Sequence, residues 1–324
     1  MRRHLLVLAL VLKTAALVAA QTGTQLVPTG KGWAVEVPVQ QPLAGSELTH
    51  NGGGTVGAYV HNGNGIIYHG GPVMHGSPVH VYFIWYGNWA TGPTPSDRPE
   101  TVALVDTLFA PTRGMGGSPY FRITTTYGDT TGNASGNLGE VASVRDNYGR
   151  GKNLADADIR TIVVDAINGG LPRDANGIYF VLTASDVAET SGFCKLYCGW
   201  HDHTNLDGTD IKYAFVGNPA RCPSACEAQS LSPNGDSGAD AMVSIMAHEA
   251  VETVTDPDLN AWYDSQGNEV ADKCQWKFGP YKTLAGHGAY NETFGTYNWL
   301  LQMQWENTRG GGCDQVLGGK FYTK

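Results

Sequence analysis

The eight-residue run Val79-His80-Val81-Tyr82-Phe83-Ile84-Trp85-Tyr86 holds no acidic, Lys or Arg side chain and is bounded by Pro78 and Gly87. Its β-branched and aromatic residues predict a strand, and the lack of apolar/polar alternation predicts that both faces are covered. Such a strand needs protein packed on each side of its sheet. Ile178-Tyr179-Phe180-Val181-Leu182-Thr183 repeats the pattern. Between the two runs, Arg98 to Phe109 and Asp156 to Asn168 have helical spacing, with Ile159, Ile162, Val163 and Ile167 forming one apolar stripe. Strand, helix and strand alternate, so the expected fold class is α+β in a mixed α/β arrangement.

Ile211-Lys212-Tyr213-Ala214-Phe215-Val216 alternates more cleanly and stops at Gly217-Asn218-Pro219, which reads as an edge or hairpin strand. A helix follows from about Ser237 to Thr255, capped by Asp236 or Ser237 and ended by Pro257. The 43 glycines imply many turns. Residues 21–65, rich in Gly, Pro, Thr and Gln, are expected to form an N-terminal arm, and residues 66–324 one core domain without internal repeats.

Arg2 and Arg3 precede an apolar run from Leu5 to Leu12 and small residues up to Ala19 and Ala20, the pattern of a signal peptide over residues 1–20, cleaved near Gln21. Lys13 interrupts the apolar run, and no stretch is long enough to cross a bilayer, so the mature chain is expected to be secreted without a membrane span. The six cysteines then read as three disulfides. Proximity favours local loops at Cys194/Cys198 and Cys222/Cys226 plus a Cys274 to Cys313 bridge, with structural zinc at the two Cys-x3-Cys pairs as the rival. Asn133-Ala134-Ser135 and Asn291-Glu292-Thr293 are glycosylation sequons. A net charge of -9 provides no basic face for a nucleic acid.

The predicted helix contains His248-Glu249-Ala250-Val251-Glu252. Positions four apart share a helix face, so His248 and Glu252 can approach one metal ion, and Glu249 lies next to them. In His-Glu-x-x-His metallohydrolases the helix supplies two ligands and the intervening glutamate takes a proton from water; here a glutamate replaces the second histidine. Carboxylate oxygen is a normal zinc ligand, and the apolar residues Met242, Val243, Ile245, Met246, Val251 and Val254 predict a buried helix whose charges need a partner. Asp272, 24 positions after His248 (272 − 248), is the expected third ligand, as in the gluzincin arrangement, with Cys274 holding its loop. Asp258 is the alternative, but Thr255 stands where the metzincin turn needs glycine. The expectation is zinc on His248, Glu252 and Asp272, Glu249 as catalytic base, and a zincin-like core in which the helix packs on a mixed sheet.

His201 and His203, expected in a surface loop beside Cys198, form a second cluster that could reach the same site. Trp85, Tyr86, Asn88 and Trp89 could line a sugar-binding platform, against the commoner role of buried strand aromatics. No Gly-x-Ser-x-Gly elbow is present.

The sequence also resembles the EXORDIUM and phosphate-induced protein family of secreted plant proteins and their algal, fungal and bacterial relatives. The resemblance spans about residues 66–313. It rests on Ile67-Tyr68-His69-Gly70-Gly71-Pro72, on Phe83 through Trp89, on Leu182 through Val187 leading into Gly192-Phe193-Cys194, and on Cys198-Gly199-Trp200-His201. Val216-Gly217-Asn218-Pro219 with Cys222-Pro223-Ser224-Ala225-Cys226, and His248 through Pro257 with Asn260-Ala261-Trp262-Tyr263, extend it. What the resemblance implies is an extracellular or cell-wall protein linked to growth, cell expansion and nutrient-responsive signalling, whose partner would be an extracellular peptide, a wall polysaccharide or a receptor. Some relatives keep the His-Glu-x-x-Glu helix and the EXORDIUM type does not; this sequence sides with the first branch.

Overall fold

The computed structural model describes residues 28–31, 65–308 and 310–319, so the expected signal peptide and most of the expected arm lie outside the described residues. In chain order the elements up to the site are β1 (Ile67–Tyr68), β2 (Val79–Tyr86), α1 (Pro99–Leu108), β3 (Leu138–Asp146), β4 (Asn153–Leu154), α2 (Asp156–Asn168), β5 (Gly177–Thr183), β6 (Ala188–Glu189), β7 (Gly199–Leu206), β8 (Thr209–Gly217), α3 (Pro223–Cys226), α4 (Ser237–Thr255) and β9 (Trp262–Tyr263).

Five strands form the main sheet in the order β3-β2-β5-β8-β7. The first four run parallel and β7 runs antiparallel to β8, so the sheet is mixed. Alternate residues of the uninterrupted apolar strand separate as the pleat requires. Val81, Phe83 and Trp85 join the core under α1 and α4, whereas Tyr82, Ile84 and Tyr86 join the core under α2. Removing each such side chain from water contributes about 1.5–3 kcal/mol, which explains why the run tolerates so little polarity. Helices cover both faces of one mixed α/β domain.

β8 is a hairpin strand, turning back on β7 through Asp207 and Gly208, both at positive φ (48° and 85°). It is not an edge: that place belongs to β7, which contains His201 and His203. The surface-loop expectation for His201 is therefore corrected. Trp200 packs on the α2 side of the sheet and His201, fully buried, faces α4. The polar residues of β7 hide its alternation in the sequence.

All six cysteines form disulfides, which removes the structural-zinc rival, but the local loops are corrected as well. The pairs are Cys194–Cys222, Cys198–Cys226 and Cys274–Cys313. Pro223 starts the short α3, and one helical turn puts the sulfurs of Cys222 and Cys226 on the same side, 3.7 Å apart, where both face the neighbouring segment. The two bridges tie α3 to the entry of β7.

Burial decides two further readings, and for Trp85 and Trp89 it favours the commoner one, buried strand aromatics. Trp85 and Trp89 are each 1% exposed and pack edge to face in the core, with centroids 4.8 Å apart, so they cannot form a sugar-binding platform. The Asn291 amide is buried and donates to Phe278 O and Leu301 O, both at 2.6 Å, so it is not a surface glycan acceptor. Asn133, by contrast, is exposed.

Asp236 caps α4 by accepting from Ala239 N at 3.0 Å. At the other end Asp256 accepts from Asn260 N (2.7 Å) and Ala261 N (2.5 Å), turning the chain out of the helix before Pro257 can clash. Nearly every residue of α4 from Gly238 onward is buried, against β7, β8 and α1. No described helix is long and apolar enough to cross a membrane.

Candidate metal centre

α4 presents His248 (7% exposed), Glu249 (2%) and Glu252 (0%) to the interior. The loop before the Cys274–Cys313 bridge brings Asp272 to the same place, and it anchors there because Ala271 N and Asp272 N donate to Glu252 Oε1 at 3.2 and 3.0 Å. His248 Nε2 lies 3.1 Å from Glu252 Oε1 and 3.4 Å from Asp272 Oδ1. The structure thus brings together His248, Glu252 and Asp272, with Glu249 beside them. Asp258 points elsewhere, toward His203 and Asp210.

His201 reaches the same helix from β7. Its Nδ1 is 3.5 Å from Glu249 Oε2 and 3.8 Å from Glu252 Oε2, and its Nε2 is 3.5 Å from Glu269 Oε1. Glu269, 1% exposed, escaped the sequence reading because its loop has no periodicity. The signal available was a carboxylate next to the apolar pair Val270-Ala271 and three residues before Asp272.

The residues fit a cation on three physical grounds. Ligands about 2.1 Å from a tetrahedral zinc stand about 3.4 Å from one another, close to the separations from His248 to its two carboxylates. Buried His248 Nε2, Asp272 Oδ1, Glu252 Oε2, Glu249 Oε2 and both nitrogens of His201 have no aligned hydrogen bond, in a fold where such groups are nearly always satisfied. Finally, the carboxylates of Glu249, Glu252, Glu269 and Asp272 gather around two histidines, and among the described residues none of them pairs with Lys or Arg. The neighbouring Lys273 is engaged by Asp264 at 3.1 Å.

The electrostatics state the same need. Burial, reinforced by the charges of Glu252 and Asp272 and opposed by His248, pushes the Glu249 carboxyl well above its ordinary value. Burial does the same to Glu269, and Glu252 is raised by burial and by Asp272. For His248 burial works to keep the ring neutral, but the Glu252 charge and Asp272 override it and raise the imidazole. His201, deeper in the protein, is pushed down to about 4 by burial and is neutral at physiological pH.

One contact opposes metal binding. Gln302 Oε1 accepts from Trp276 N at 2.9 Å, and its Nε2 donates to Ala271 O at 3.1 Å, which fixes the amide. The same Nε2 lies 2.9 Å from His248 Nδ1 and opposes the protonation that the carboxylates favour, since it is met only by the neutral ring in which Nδ1 accepts and the proton sits on Nε2. Zinc on Nε2 requires the reverse tautomer, and therefore a rotation of Gln302.

An open cleft leads to the centre. His248 and Glu249 line its floor, and Tyr197, Ile245, Trp276, Phe278 and Leu300 supply apolar walls. Ser244 and Asp240, one and two turns before His248, continue the same line along α4.

Residues 66–301 match the family model described as the phosphate-induced protein 1 conserved region. The chain is 32% identical to Protein EXORDIUM-like 5 of Arabidopsis thaliana over 254 residues, which is 69% of this chain and 66% of that protein. It is 32% identical to Protein EXORDIUM-like 3 of Arabidopsis thaliana over 74% of this chain and 80% of that one. With Protein PHOSPHATE-INDUCED 1 of Nicotiana tabacum the identity is 30% over 71% of this chain and 79% of that one. No solved structure matches the chain. On the length and continuity of these matches, the chain belongs to the phosphate-induced protein 1 family, which includes the EXORDIUM proteins.

Proposed function

We propose that this protein is secreted to the extracellular space or cell wall, after removal of a signal peptide over residues 1–20, and that its core is a zincin-like hydrolase acting on peptide-like bonds. Three disulfides fit an oxidising compartment, and growth-related secreted proteins are what the family resemblance implies. In this reading residues 21–65 are an arm before the core domain, and exposed Asn133 carries a glycan.

The observation that carries the catalytic reading is the convergence of His248 Nε2, Glu252 and Asp272 Oδ1, buried and at tetrahedral spacing. His248, Glu252 and Asp272 would hold zinc, which when bound supplies Lewis acidity toward a carbonyl and makes water more acidic. Glu249 Oε2, which has no hydrogen-bond partner, takes the proton from water as the water oxygen attacks the carbonyl carbon. Buried beside the cleft, the same carboxyl holds that proton away from bulk water and delivers it to the departing amine nitrogen as the C–N bond breaks. The apolar cleft walls exclude water and seat side chains beside the scissile bond.

The second reading is a non-enzymatic wall or signalling protein with a structural His/Glu cluster, and the amide of Gln302 against His248 Nδ1 favours it. Metal analysis separates the two. Protein exported under metal-replete conditions should retain zinc that Asp272→Asn removes, and Glu249→Gln should retain zinc while losing hydrolysis of a peptide library. Wild-type protein without stoichiometric zinc refutes the hydrolase.

A further inference from the structure

The His201 side of the cluster is unused by this chemistry, and we propose that it is a second divalent-cation site, formed by His201 Nδ1, Glu249 Oε2 and Glu252 Oε2, with Glu252 bridging it to the first. The three residues are each at most 2% exposed, and their ligand atoms lie within 4.8 Å of one another. None of the three atoms makes a hydrogen bond. An imidazole with two carboxylates selects a transition ion of the zinc class over calcium or magnesium.

Glu252 divides its two oxygens. Oε1 faces His248 and accepts from Ala271 N and Asp272 N, whereas Oε2 faces His201 and accepts nothing. A carboxylate turned toward two imidazoles from opposite oxygens is the geometry that holds paired ions about 3.5–4 Å apart. The orienting shell is also present. Glu269 Oε1, 3.5 Å from His201 Nε2, draws the ring proton to that nitrogen and leaves the Nδ1 lone pair for a cation. His201 itself is fixed, because its backbone N donates to Gly30 O at 2.7 Å.

The consequence rests on the hydrolase reading: Glu249 Oε2 is the atom assigned there to take the proton from water. Filling the second site occupies that oxygen as a ligand, so zinc excess switches the hydrolase off.

The test is zinc titration of the chelator-stripped, full-length mature protein, read by calorimetry and elemental analysis. Wild type should bind two equivalents, while His201→Asn and Asp272→Asn should each bind one. X-ray absorption of the doubly loaded wild type should show a Zn–Zn vector of about 3.5–4 Å, and this arm needs no variant to fold. A single equivalent with no Zn–Zn vector, lost in Asp272→Asn, overturns the second site and leaves the hydrolase reading standing. Two equivalents retained by His201→Asn also overturn it. Binding of none overturns both.

Discussion

Asp240 lies in the first turn of α4 on the cleft wall, 5% exposed, where it accepts from Ser232 Oγ and from Asn234 Nδ2 (2.7 Å). Burial, with the charge of Asp236 behind it, raises its carboxyl from 3.8 to about 7 in spite of those donors. In the unfolded chain the same group titrates near 3.9. Between these values the native state binds more protons than the unfolded state, so the carboxyl withdraws stability as pH rises from about 4 to about 7. A shift of about three units at 1.36 kcal/mol each makes the loss about 4 kcal/mol, complete above pH 8. Asp240→Asn cannot ionise, and whatever it loses in hydrogen bonding it loses at every pH. The free energy of the variant relative to wild type should therefore improve by about 4 kcal/mol between pH 4 and pH 8. Urea melts of both proteins at a series of pH values, with disulfides intact, measure that difference, and other titrating groups cancel. A difference constant to within about 1 kcal/mol across the range would show that the carboxyl ionises at an ordinary value and that the cleft wall is wetter than its burial implies.

Replacing Gln302 by glutamate gives His248 Nδ1–H an acceptor, so Gln302→Glu should tighten zinc binding at neutral pH by about 10- to 100-fold, as outer partners of ligating histidines do; a fluorescent zinc-chelator competition reads it, and weaker binding contradicts the ligand assignment. The paired substitution Cys198→Ala/Cys226→Ala opens a loop with a sequence separation of 28 and should cost about 3.5 kcal/mol in urea unfolding while leaving no free thiol, whereas the local pairing would lose both bridges and expose the thiols of Cys194 and Cys222 to titration. In protein made by a glycosylating host, Asn133→Gln should increase gel mobility and Asn291→Gln should not, since the Asn291 amide is spent inside the fold.

The parts of this molecule that were legible in advance are those with a period or a fixed offset. The unbroken run at Val79–Tyr86 is the two-sided strand that its β-branched and aromatic residues suit, and the i, i+4 pair on α4 with a carboxylate in the following loop does converge. What stayed hidden has long-range causes. β7 is an edge strand of mixed polarity whose one buried imidazole takes its meaning from Glu249, Glu252 and Glu269, none of them its sequence neighbours. The crossed disulfides depended on a single helical turn at Pro223–Cys226, too short for a periodic signal, although a proline at its first position between cysteines four apart hinted at it. The sequon at Asn291 is a local pattern, and burial by the chain around Phe278 and Leu301 is not a local property.

Gly30, in the glycine-rich stretch before the core, sits at φ +66°, and a Cβ there would stand 1.8 Å from His201 O. Lys31 next to it is moored by Asp156 at 2.6 Å and Ser191 at 2.7 Å. Gly30 and Lys31, in the stretch expected to form an arm, thus act as a distant shim under the strand that aims His201. A protein shortened to the matched family region would lose that shim while retaining every candidate ligand, and an alanine at position 30 would disturb the centre from a place where a catalytic defect would ordinarily not be sought.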